Sequence, residues 1–160
     1  MLSPLPRRTL LAGFAALAST TLAPMILAGR ASARKPAVFT EILPGVAVGG
    51  HDPVAYFTES KAVLGSADIT FEHEGAVWRF ASTANREAFQ ADPAKFAPQY
   101  GGYCAFAVAN GYTAKGDPQA WTLANDKLYL NYNKSVQRGW EQDIPGNVRK
   151  GDANWPKVLG

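Results

Sequence analysis

The first 33 residues constrain this chain most, because they decide how much sequence is left to fold. Arg7-Arg8 supply a positive start. Residues 9–28 form an uncharged, largely apolar run containing Leu10, Leu11, Phe14, Leu17, Leu22, Met25 and Ile26. Ala31-Ser32-Ala33 then fits the small-x-small pattern for cleavage before Arg34. Paired arginines followed by Thr9-Leu10-Leu11 are similar to the twin-arginine signal, which exports proteins already folded. An uncleaved anchor is the alternative, since about 20 apolar residues span a bilayer, but Ser19, Thr20, Thr21 and Pro24 dilute the run. The expectation is a cleaved leader over 1–33 and a periplasmic or otherwise exported domain over 34–160, with no stable membrane anchor after cleavage.

Removal of the leader changes the charge. The chain has 16 Lys+Arg and 13 Asp+Glu. Arg7, Arg8 and Arg30 are the only charged residues before Arg34, so taking those three from 16 leaves 13 basic against 13 acidic. A neutral domain lacks the basic footprint expected of a nucleic-acid binder and the polybasic segment of a membrane-surface binder. Both methionines, Met1 and Met25, leave with the leader.

The remaining 127 residues suit one domain with its own core. One cysteine cannot form an intramolecular disulfide, so packing must hold the fold. The sequence displays no internal repeat. It predicts a short strand over 38–43, then a hairpin of 69–72 with 76–80 around Glu74-Gly75. Ser82 caps a helix over 83–91, with Ala84, Ala88 and Ala91 as its stripe, Phe89 beside it and Asp92-Pro93 as its stop. A helix over 104–110 closes at Gly111. A second hairpin of 121–123 with 128–132 turns at Asn125-Asp126. A helix over 135–142 points Val136 and Trp140 inward, and a short helix lies near Val148. The fold class is α+β, a small antiparallel sheet with packed short helices in a single domain. The expected core is Trp78, Phe80, Phe89, Trp121, Leu123, Leu130 and Trp140, and all four tryptophans of the domain read as core anchors.

Gly50-His51-Asp52-Pro53-Val54-Ala55-Tyr56-Phe57 resembles the opening of the YHS domain. So do Phe80-Ala81-Ser82 leading to Phe89, and Asp92-Pro93-Ala94-Lys95-Phe96. Tyr100-Gly101-Gly102-Tyr103-Cys104-Ala105, residues 128–133 and Asn154-Trp155-Pro156 are similar to an exported bacterial subfamily of YHS domain-containing proteins, some labelled as possible selenoproteins. The resemblance spans nearly all of 34–160. It implies a YHS-like fold, and in the broader family a metal held by cysteines. Ala55, Ala81 and Asn85 stand where those cysteines would be, so no cysteine-rich zinc site is expected. The selenoprotein label marks a reactive chalcogen position, for which Cys104 is the candidate here.

Cys104 follows a Gly-Gly turn at the expected start of a helix, where backbone amides favour thiolate. Its apolar neighbours Ala105, Phe106 and Val108 favour a buried structural thiol instead. His51 is a metal ligand, with Asp52 orienting it or sharing the ion, or a turn residue capping a carbonyl. His73, between Glu72 and Glu74, reads as a solvated turn residue. Cys104 and His51 together would suit copper or another soft metal, without the axial methionine common at such sites. No Ser-His-Asp order, Walker loop or dinucleotide fingerprint is present. Three functions follow: a binding module for a metal or small ligand, a thiol-dependent redox enzyme using Cys104, or an accessory subunit of an exported enzyme complex.

Overall fold

A computed structural model describes residues 34–160; the leader expected over 1–33 lies outside the described residues. The elements run α1 (Ala55–Thr58), β1 (Ser66–His73), β2 (Ala76–Phe80), α2 (Thr83–Ala91), α3 (Pro93–Phe96), α4 (Ala105–Ala109), β3 (Asp117–Ala124), β4 (Lys127–Asn131), α5 (Lys134–Glu141) and α6 (Ile144–Asn154). The class is α+β. The strands form two separate antiparallel hairpins, β1–β2 and β3–β4, in place of one sheet. Residues 38–43 form no strand. Phe39 N–H instead donates to Gly101 O at 2.8 Å, and a Cβ on Gly101, whose φ is +59°, would sit 1.8 Å from Ala37 O. Only glycine allows that approach. Among the described residues no helix is long and apolar enough to cross a membrane.

The sequence displays no internal repeat, yet the backbone over residues 47–154 traces one motif twice. Each copy opens with a 3-10 turn, Ala47–Gly50 and Gln99–Gly102. Each turn carries three consecutive positive φ values, 52°, 55° and 83° at Val48, Gly49 and Gly50 against 56°, 59° and 81° at Tyr100, Gly101 and Gly102. A short helix follows, then the hairpin. Thr70 pairs with Arg79 and Glu72 with Val77 in the first copy; Trp121 pairs with Leu130 and Leu123 with Leu128 in the second. Each of those residues lies 51 positions after its counterpart, and both hairpins carry an irregularity at the same place.

The caps repeat as well. Ser82 Oγ accepts from Asn85 N at 3.1 Å and Asn133 Oδ1 from Val136 N at 2.9 Å. Asp92 Oδ1 accepts from Lys95 N at 3.1 Å and Asp143 Oδ1 from Gly146 N at 2.9 Å. Each side-chain oxygen satisfies an amide that the helix leaves unpaired. The last helix is where the copies diverge, four residues in α3 against eleven in α6.

Strand β4 joins the copies. Leu128 and Leu130 pack into one core with Trp78, Phe80 and Phe89. Tyr129, between them, points the other way, as strand alternation requires, into a second core with Tyr100, Tyr103 and Trp140. Trp78, Phe80, Phe89, Leu130 and Trp140 are buried as expected. Trp121 and Leu123 are only partly buried, against the rim of the first core. Of the expected alanine stripe, Ala88 packs against the first core but Ala84 and Ala91 are exposed, so the inward face of α2 is Asn85, Ala88 and Phe89. In α5, Gln137 is buried beside Trp140, and Val136 is half-buried.

Candidate functional site

Asp52 is fully buried and accepts four hydrogen bonds. Its Oδ1 takes Val54 N at 2.8 Å and Ala55 N at 3.4 Å. Its Oδ2 takes Ala81 N at 2.8 Å and Asn85 Nδ2 at 2.7 Å. A buried carboxylate without partners is costly; here the start of α1, the end of β2 and the first turn of α2 all supply donors. Ala55, Ala81 and Asn85 are the positions that the YHS resemblance marks for cysteines. They converge, and a carboxylate fills the middle. Asp52 is therefore committed to backbone and amide donors and does not orient His51, contrary to one reading of the sequence.

Cys104 occupies in the second copy the place of Asp52 in the first, two residues after the Gly-Gly turn. It stands just before α4 and is 1% exposed. Its Sγ lies 3.8 Å from Asn131 Oδ1, which also accepts from Phe106 N at 3.2 Å. Asn131 thus supplies the acceptor for the helix-start amide that Asp52 supplies in the first copy. Asn131 is fully buried, and its Nδ2 has no partner. No sequence signal marked it, because the contact depends on β4 passing beneath α4.

His51 is half-buried, with Nδ1 3.2 Å from Val48 O and Nε2 3.4 Å from Gln119 Nε2. Those contacts share nothing with the contacts of Cys104. The described residues contain no group of three or more His, Cys, Asp or Glu side chains placed to hold a metal. His73 ends β1 half-buried: one side of its ring packs 5.8 Å from that of Phe89, edge to face, and 6.3 Å from Phe71, stacked, while the side chain stays 31% exposed.

A cleft of about 620 Å³ opens elsewhere, where the lead-in to the first copy meets the end of the second. Trp155, Tyr100, Trp78 and Val38 line it, with Arg34 and Glu74 also on its wall. Trp155, expected in the core, is half-buried, and its ring leans on Tyr100 and Tyr103 at centroid distances of 5.9 and 6.1 Å. Two of the cleft's aromatic side chains have their polar groups already paired. Trp78 Nε1 donates to His73 O at 3.0 Å, and Tyr100 OH donates to Asp152 Oδ1 at 2.9 Å. Burial and the Asp152 carboxylate push the Tyr100 hydroxyl well above the usual phenol range, so it stays protonated. The volume lies in the range of small-molecule sites, which are mostly apolar with a few polar groups at their edge. Comparison with protein-family models, with curated proteins and with solved structures returns no match.

Proposed function

We propose that this chain is an exported, noncatalytic binding protein of the YHS type that takes a small ligand in the cleft bordered by Trp155. The cleft carries the reading: about 620 Å³, with the half-buried Trp155 on its wall and charge confined to Arg34, Lys35 and Glu74. Two features support the noncatalytic part. The one thiol is buried against Asn131, whereas a thiol enzyme needs its sulfur reachable by substrate. The positions where the resembled family would hold a metal are closed over Asp52. Export rests on Arg7-Arg8, the apolar run and Ala31-Ser32-Ala33; N-terminal mass spectrometry of the secreted fraction should find Arg34 first, and a full-length chain held in membranes overturns that part. The binding reading is tested by titrating the full chain with indole-3-acetamide and with its parent acid, indole-3-acetate, while following the indole N–H resonances. The expected result is a saturable shift at Trp155 and none at Trp140. No shift with either probe overturns it.

A further inference from the structure

We propose that the ligand of this cleft is a flat monoanion, an aromatic carboxylate, held by its ring against Trp155 and by its charge at Arg34; this rests on the small-ligand reading above. Trp155 dictates the apolar body. Trp78 is 1% exposed and Tyr100 5% exposed, and both have spent their polar atoms inside the protein. They offer a ligand little surface and no unmet donors, so the half-buried ring of Trp155 is the apolar face it meets. Trp155 is backed by Tyr100 and Tyr103, so its ring is held in place for an aromatic partner.

The charges select the other end. Lys35 Nζ is engaged by Thr113 Oγ1, and Lys35 N–H donates to Leu159 O at 2.8 Å, which fixes the backbone beside Arg34. Arg34 itself is exposed and makes no ion pair among the described residues. Its planar guanidinium matches a carboxylate through two parallel hydrogen bonds. Glu74 is the acid on the same wall, with only His73 Nε2 near it, at 4.0 Å. That carboxylate repels every negative charge on a ligand: a first charge is offset by Arg34, and a second has only Lys35, held at Thr113, to offset it, so a monoanion fits better than a dianion.

Calorimetric titration of the full chain tests this with three probes: indole-3-acetate, the neutral indole-3-acetamide and the dianion phthalate. The expected order of affinity is acetate, then amide, then phthalate. Arg34→Gln should weaken indole-3-acetate about fivefold, the upper end for an exposed ion pair, and leave the amide unchanged. Trp155→Leu should weaken acetate and amide together. Equal affinity for acetate and amide, or an Arg34→Gln loss shared by both, overturns the anion assignment while the binding reading stands. Absence of heat with both indole probes overturns the binding reading itself, and the assignment with it.

Discussion

The two copies solve one problem in different ways. Each must pin a Gly-Gly turn to the start of a short helix. The first uses Asp52, one buried carboxylate with four donors drawn from α1, β2 and α2. The second puts Cys104 in that place and moves the acceptor to Asn131, where the first copy has Phe80. A second exchange follows the same line. A Cβ on Gly50 would lie 3.7 Å from Arg79 Cδ, and one on Gly102 would lie 3.8 Å from Leu130 Cδ1. The first copy therefore covers its turn with Leu43 and the stem of Arg79, and the second with Pro98 and Leu130. The repeated turns and caps constrain backbone; the central residues are free to change as long as the helix-start amide keeps an acceptor. The lone cysteine reads as one of these exchanges, a structural substitute for an aspartate.

The largest effects should be equal in the two copies. Phe89 and Trp140 hold equivalent places on α2 and α5 and are both fully buried. Phe89→Ala and Trp140→Ala should each cost about 3–5 kcal/mol in urea unfolding; a loss under about 1 kcal/mol at either would break the equivalence. The central residues should then separate the copies. Asp52→Ala leaves buried donors without an acceptor and should cost about 3–5 kcal/mol, whereas Cys104→Ala, losing one small buried group with Asn131 in place, should cost about 1–2 kcal/mol. The reverse order would place the structural anchor in the wrong copy.

Alkaline titration sharpens the comparison from another side. Burial, then the Asp117 and Asp52 carboxylates, raise the Tyr56 hydroxyl; burial and Asp152 raise Tyr100. Their folded values lie above the unfolded phenol value of about 10. Their contribution is therefore fully present below about pH 10 and is lost as pH rises further, because the unfolded chain releases protons that the native state keeps. Tyr100→Phe should flatten the fall of stability above about pH 10 relative to wild type, read by urea midpoints at stepped pH. An unchanged slope would mean Tyr100 ionises in the folded protein. The smallest effect concerns the hairpin turns. Glu74 holds φ +50°, as does Asn125 at the equivalent place. Asparagine tolerates that region better than glutamate, so Glu74→Asn should stabilise by a few tenths of a kcal/mol, about the scale of such backbone effects, and Asn125→Glu should destabilise by a similar amount in thermal unfolding.

What could be read in advance was local. Ser82, Asp92, Glu74-Gly75, Gly111 and Asn125-Asp126 each fix a cap or a turn within three or four residues, and both hairpins and helices α2 and α4 follow from them, with α5 read from the spacing of Val136 and Trp140. The duplication was hidden because the copies share backbone geometry through few identical residues: the Gly-Gly pairs, Gly65 with Gly116, and Asp92 with Asp143. Core residues at equivalent places differ in type, Trp78 against Tyr129 and Phe80 against Asn131, so no side-chain repeat is visible along the chain. On α2 the alanine spacing points to only part of the inward face, because Asn85 turns in to Asp52, a contact 33 residues away in sequence that no helical period reveals. The cleft was hidden for the same reason: Arg34, Glu74 and Trp155 meet only after both copies have folded.

The most direct measurement is the rate at which 5,5'-dithiobis(2-nitrobenzoate) modifies Cys104 across a urea series below the unfolding midpoint. If the thiol is the structural counterpart of Asp52, modification in the absence of urea is slow, and its rate rises with urea in parallel with the fraction of globally unfolded chain. A rate close to that of a free thiol without urea, and insensitive to it, would contradict the account and make Cys104 an accessible chemical group.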